Sequence, residues 1–126
     1  MRVVVDTSIL IDKLRGGKKW DEIFKSFDPD SKLFLPTIVA FELFLGESSR
    51  EKTVETTINN FKKFFEQIEL TWDIAKRAAE IHRDYAKDID AADCIIAATA
   101  LSIGAAVVTL NKKHFEKIPG LSVYPN

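Results

Sequence analysis

Asp6, Glu42 and Asp93 stand where a folded chain ordinarily avoids acid. Asp6 directly follows the β-branched run Val3-Val4-Val5 and precedes Thr7-Ser8. Glu42 interrupts the otherwise apolar stretch from Ile38 to Leu45. On a helix its neighbours three and four residues away are Ile38, Val39, Leu45 and Gly46. Asp93 heads the segment Asp93-Cys94-Ile95-Ile96-Ala97-Ala98-Thr99-Ala100, with Asp88 and Asp90 crowding its approach. A carboxylate on an apolar face must be protonated, paired or bound to a cation. For Glu42 the ordinary structural alternative is an ion pair with Arg or Lys. For Asp93 it is an acid that merely complements a helix dipole from the first turn. Clustering of Asp88, Asp90 and Asp93 is mildly unfavourable unless a cation is present.

If these acids meet at one end of one sheet, they form an oxygen donor set without His or Cys, which suits a hard cation, Mg²⁺ or Mn²⁺. The chemistry natural to such a site is metal-assisted phosphodiester hydrolysis, in which no side-chain nucleophile is needed. Other chemistries are poorly supplied. The chain has no glycine-rich phosphate loop, no G-x-S-x-G elbow and no C-x-x-C pair. With 2 histidines and 1 cysteine, a structural zinc site is improbable. His82 lies mid-helix and reads as a packing residue, whereas His114 follows a strand end, close to where a phosphate would lie.

The elements that must position these residues follow from punctuation and periodicity. Val3 to Val5 is a short strand buried on both faces, and Ile9, Leu10, Ile11 and Leu14 recur at helical spacing after the cap candidates Thr7 and Ser8. Asp6 therefore sits where a parallel strand hands over to a helix, and open α/β sheets bind ligands beyond such carboxyl ends. Gly16-Gly17 ends that helix, and Trp20, Ile23, Phe24 and Phe27 predict a second one closing before Asp28-Pro29-Asp30. Lys32 to Leu35 is a strand stopped by Pro36. Thr37 caps a helix over Ile38 to Leu45, ended by Gly46. Ser48 with Glu51 fits a capping box opening a helix to about Gln67. Ile68 and Leu70 suit a brief strand, and Thr71 caps a helix from Trp72 to Tyr85. A helix over Ala91 to Ile103 closes at Gly104. A buried strand over Ala105 to Leu110 follows, then a turn with a helical turn over Asn111 to Phe115, and an edge strand over Leu121 to Tyr124. Strands alternating with helices predict an α/β fold, a three-layer α/β/α sandwich around a mostly parallel sheet of about four to five strands.

At 126 residues the chain is expected to form one domain, residues 1–126. It is 46% hydrophobic and 29% charged, which is globular rather than disordered. A net charge of −1 argues against nucleic-acid binding by bulk electrostatics, but leaves room for a local basic rim around an acidic pocket. The lone Cys94 excludes an internal disulfide and permits the cytosol. The N-terminus passes straight into strand-like sequence without a basic segment and apolar core, so a cytoplasmic protein without a signal peptide is expected. Cys94 to Leu110 is uncharged, but it is at the short limit for a membrane span and is divided by Thr99, Ser102 and Gly104.

Taken in order, these motifs resemble a PIN domain, and most closely the VapC-type toxins of prokaryotic toxin–antitoxin pairs. They are Val5-Asp6-Thr7-Ser8 with its apolar helix, the acid Glu42 in a helix after Pro36-Thr37, Asp93 to Ala100, and Val108-Thr109-Leu110-Asn111-Lys112-Lys113-His114-Phe115 running on to Leu121. The resemblance covers the chain from Val3 to Tyr124. It implies a Mg²⁺- or Mn²⁺-dependent endoribonuclease, held inactive by a VapB-like antitoxin and usually homodimeric. Asp6, Glu42 and Asp93 match its catalytic, metal-holding acids, and Thr7, or rather Ser8, matches the hydroxyl supporting the first acid. Its fourth acidic position, in Thr-x-Asp, is here Thr109-Leu110-Asn111. An amide is a neutral ligand at best, so one well-held metal and a weak, substrate-dependent second are expected, with Asp90 able to compensate. Lys13, Arg15, Lys112, Lys113 and His114 near the mouth could hold an RNA backbone, or form an ordinary solvated surface. The aromatic faces Trp20, Phe24, Phe27 and Phe61, Phe64, Phe65 suit core packing for the most part, with some left for a dimer face or antitoxin groove. The alternative function is a catalytically impaired PIN module that binds RNA or a protein partner without cleavage. A DNA nuclease or phosphatase using the same acids differs only in substrate.

Overall fold

Val3, Val4 and Val5 are wholly buried, as a strand covered on both faces must be. They form β1 (Arg2–Val5), the central strand of a five-stranded sheet ordered β3-β2-β1-β4-β5, in which every pairing is parallel. The computed structural model describes residues 1–125. In chain order, β1 is followed by α1 (Thr7–Leu14), α2 (Lys19–Phe24), β2 (Lys32–Pro36), α3 (Thr37–Leu45) and α4 (Lys52–Phe64). Then come β3 (Glu66–Ile68), α5 (Trp72–Asp84), α6 (Ala91–Ile103), β4 (Ala106–Val108), α7 (Lys112–Glu116) and β5 (Val123–Tyr124). The register sets Val4 against Phe34 on one side and Val107 on the other.

Strand order steps outward from β1 to β2 to β3, then returns to β1's other flank for β4 and β5. The carboxyl ends of β1 and β4 thus border the switch point, where neighbouring connections leave in opposite directions and open a crevice. A parallel sheet that grows to both sides of β1 sets α1 to α4 and α5 to α7 on opposite faces under the right-handed rule for such crossovers, which is the expected α/β/α layering. Cys94 and the run from Ile96 to Ala100 on α6 are all buried. The alanines among them allow close approach to the sheet, which brings the start of α6 to the crevice. No helix among the described residues is long and apolar enough to cross a membrane.

Several boundaries differ from the sequence expectation. Pro36 remains extended (φ −63°, ψ 139°) and ends β2, so Thr37 is the first helical residue of α3 and not its cap. Asp6 takes the corresponding place before α1, and Thr7 opens that helix. The Ser48–Glu51 capping box does not form. Residues Glu47–Arg50 wind into a 3₁₀ turn, Ser49 Oγ donates to the Phe44 carbonyl at 3.0 Å, and Glu51 is the extended residue before α4. The tight end of α3 claims the serines before a longer helix can use them. Helix α2 stops at Phe24 rather than Phe27, α4 stops at Phe64, and β3 begins two residues earlier than expected, at Glu66. Strand β4 ends at Val108 because the next amides leave the ladder for hydroxyl partners near Asp6, described below. Thr71 does cap α5, its Oγ1 accepting from Ile74 N–H at 3.2 Å.

The aromatics gathered around α2 and α4 are divided between core and surface. Trp20, Phe61 and Phe65 are buried, and Trp20 lies 5.5 Å from both Phe24 and Phe65 between ring centroids. Phe24 and Phe64 keep 43% and 52% of their surface exposed, so this cluster has a wet edge.

Candidate functional site

Asp6 is 2% exposed and its Oδ2 accepts two hydroxyl bonds, from Ser8 Oγ and from Thr109 Oγ1, each 2.7 Å long. Those hydroxyls are aimed by backbone. Leu110 N–H donates to Ser8 Oγ at 3.0 Å, and Asn111 N–H donates to Thr109 Oγ1 at 2.9 Å. With an amide already donating to each oxygen, each hydroxyl proton is left for Asp6. The Asp6 amide in turn donates to the Val108 carbonyl at 2.9 Å, stitching the ends of β1 and β4 together. One carboxylate oxygen is thereby held from the strand ends, and among the described residues no protein donor claims Oδ1.

Thr7 does not share this task. Its Oγ1 donates across to Glu42 Oε1 on α3 at 2.6 Å, so the two consecutive hydroxyls at the start of α1 serve different acids. Glu42 is held above the ordinary carboxylate range, first by burial and then by the charges of Asp93, Asp6 and Asp90, against which the Thr7 bond works. Asp93, in the first turn of α6, is likewise raised by burial and by Asp6 and Asp90, opposed by His114. His114 Nδ1 lies 3.0 Å from Asp93 Oδ2. Neither Asp6 nor Glu42 forms an ion pair with Lys or Arg among the described residues. The simple structural account of Glu42, an Arg or Lys partner, is therefore not what the fold provides.

The structure brings Asp6, Glu42, Asp93 and Asp90 into one electrostatic neighbourhood, since Asp93, Asp6 and Asp90 all raise Glu42, and Asp6 and Asp90 both raise Asp93. It does not close them into a cage: among the described residues, no three His, Cys, Asp or Glu side chains are grouped as a metal-binding set. A hard cation nevertheless fits the donors. They are all carboxylate oxygens, their repulsion is unrelieved by basic side chains apart from His114, and Mg²⁺ needs only one or two carboxylates beside its waters. Asn111 is the exposed residue before α7, and its backbone N–H donates to Thr109 Oγ1.

The predicted basic rim is unevenly placed. Lys13 pairs with Asp21 on α2 at 3.2 Å. Arg15 is exposed and lines a hollow with Ile11, Leu14, Glu42 and Leu43, next to the acids. Lys112 and Lys113 open α7 beside His114. Two relations escaped the sequence reading. One is the His114–Asp93 contact, which the spacing of Asp93 from an Asn-Lys-Lys-His turn could not reveal. The other is an ion pair between Lys117 and Asp88, which lowers the Asp88 carboxyl chiefly through that hydrogen bond. His82 behaves as expected of a packing residue, its Nδ1 3.6 Å from the buried Cys94 Sγ. Burial, Asp93 and Asp90 push that thiol up, which keeps it unreactive.

The PIN domain family model matches residues 3–121 of this chain. Ribonuclease VapC1 of Methanocaldococcus jannaschii is 32% identical over 128 residues, spanning 98% of this chain and 87% of that protein. Ribonuclease VapC19 of Mycobacterium tuberculosis is 30% identical over 125 residues, spanning 94% and 95%. Among solved structures, the chain is similar to one in VapBC2 of Rickettsia felis bound to a DNA fragment from its promoter, with TM-score 0.82 and 22% identity over 98% of this chain and 97% of that one. It is also similar to a chain of a toxin–antitoxin complex from Klebsiella pneumoniae, with TM-score 0.77 and 26% identity over 96% of each.

Proposed function

This chain belongs to the PIN-domain family, and on that premise we propose that it is a VapC-type endoribonuclease, a single PIN-type domain over residues 1–126 that acts in the cytoplasm and is restrained by a VapB-like antitoxin. The observation that carries the reading is the acidic crevice at the switch point, where Asp6 is locked by Ser8 and Thr109 and faces the raised carboxyls of Glu42 and Asp93. Support comes also from relatives named ribonuclease VapC that match over nearly the whole chain.

Asp6 and Asp93 would hold Mg²⁺ or Mn²⁺, with Glu42 completing the acidic set and Asp90 supplying the negative charge that Asn111 lacks. When bound, such a cation lowers the pKa of a coordinated water and neutralises charge gathering on phosphate oxygens. The chain's own residues do the rest. Ser8 and Thr109 fix the Asp6 carboxyl in place, their hydroxyls both donating to Oδ2. Glu42, raised above its ordinary range and steadied by Thr7, is suited to accept a proton from an attacking water. Arg15, Lys112 and Lys113 would contact backbone phosphates, which contribute position and affinity rather than base choice. A homodimer is part of the same proposal, with the exposed apolar side chains of α3, Phe41, Phe44 and Leu45, as candidates for its face.

The test is cleavage of a mixed RNA pool by the purified protein with Mg²⁺, with Mn²⁺ and with EDTA, beside D6N. Metal-dependent cutting that vanishes in the variant is expected. RNA bound but uncut with either metal would favour the non-cleaving module instead.

A further inference from the structure

His114 stands against one of the proposed ligands, where the sequence suggests only a phosphate contact. An ionised carboxylate can only accept, so the 3.0 Å contact requires the proton on His114 Nδ1, donated to Asp93 Oδ2. The histidine is in turn held rigidly. Its own amide donates to the Asn111 carbonyl at 3.0 Å, and Phe115 and Ile118 on either side of α7's end are 0% and 3% exposed. Lys117, one turn further, pairs with Asp88 in the segment that leads into α6. The α7 turn is thus tied back to the stretch of chain that carries Asp93, and the imidazole spans the remaining gap.

We propose that His114 is a positioning residue for Asp93: by donating from Nδ1 to Oδ2 it fixes the carboxylate's rotamer and leaves Oδ1 to face a divalent cation. This rests on the metal-dependent reading above. Partners that orient ligating carboxylates in this way are worth about 10–100-fold in metal affinity. Half of the His114 side chain (49%) is exposed, and among the described residues no protein group bonds to Nε2. That exposure also means that replacing the ring leaves the core intact.

The experiment is Mn²⁺ titration of the purified full chain by calorimetry at one neutral pH, with H114A, H114N and H114Q beside wild type. Asparagine carries its amide nitrogen on Cγ, as histidine carries Nδ1, while glutamine reaches the Nε2 position. The expected result is Mn²⁺ affinity weakened about tenfold or more in H114A and H114Q and restored toward wild type in H114N. Wild-type affinity in H114A, or equal weakness in H114N and H114A, overturns the positioning role while leaving the metal site standing. No Mn²⁺ binding by the wild-type chain overturns both.

Discussion

Replacing Thr109 by Val tests the clamp on Asp6 with little change of shape. The substitution removes the hydroxyl that donates 2.7 Å to Asp6 Oδ2 and strands the Asn111 amide that had donated to it at 2.9 Å. Both losses fall at a buried place, Thr109 being 1% and Asp6 2% exposed. A hydrogen bond to a charged group contributes about 1.5–3 kcal/mol net, and a neutral one about 1. With the amide able to reach water at the exposed Asn111, the metal-free T109V protein should lose about 2 kcal/mol. D6N has the opposite signature. It keeps an oxygen to accept from Ser8 and Thr109 while removing one charge from a mutually repelling set, so it should be at least as stable as wild type when metal-free. In the D6N background T109V then breaks only a neutral bond, and its cost should drop to about 1 kcal/mol, a coupling of about 1 kcal/mol. Urea denaturation with chelator present, followed by fluorescence of the buried Trp20, measures all four corners of the cycle. Equal costs of T109V in both backgrounds would show that the hydroxyl does not act on the Asp6 charge, and the account of the clamp would fail.

The carboxyl shifts set a pH dependence. Glu42 and Asp93 lie above their ordinary values of 4.5 and 3.8, so between those values and their native ones the folded state binds more protons than the unfolded state. Metal-free stability contributed by these groups is therefore greatest below about pH 4 and declines as pH rises through the native values. The differences E42Q minus wild type and D93N minus wild type, from melts at pH 4 to 8 in chelator, should grow more stabilising with pH; a difference that shrinks refutes the sign. Gly104 closes α6 at φ +63° with open space where a Cβ would point, so G104A meets backbone strain alone. It should cost about 1 kcal/mol, a fall of about 3–5 °C in Tm by scanning calorimetry, with RNA cleavage unchanged.

Much of this protein was legible in the chain because its signals are local. Val3 to Val5 could only be a strand covered on both faces. The α6 segment, uncharged after Asp93 and closed by Gly104, matched its observed span. Asp6, Glu42 and Asp93 stood out because a carboxylate beside Ile, Val and Phe conflicts with the apolar pattern around it, and that conflict is visible without coordinates. The end of α3 was misread for the same local reason: Ser48 and Glu51 have capping-box spacing, but Ser48 lies inside the 3₁₀ turn Glu47–Arg50, whose end the Glu51 amide closes on the Ser48 carbonyl.

What tertiary structure alone decided is which hydroxyl meets which acid. Thr7 and Ser8 are adjacent, and sequence treats them as alternatives for one task. Side chains on successive residues at a helix start point in different directions, so Ser8 turns to Asp6 and Thr7 to Glu42, 35 residues away. The pairing of Thr109 with Asp6 spans 103 residues and exists because β4 returns to β1's free flank. His114 and Asp93 meet for a like reason, through a turn that follows β4 and packs back on the start of α6. Sequence determines residue chemistry and local periodicity; strand order, set by the global packing of the sheet, determines which of those chemistries share a crevice.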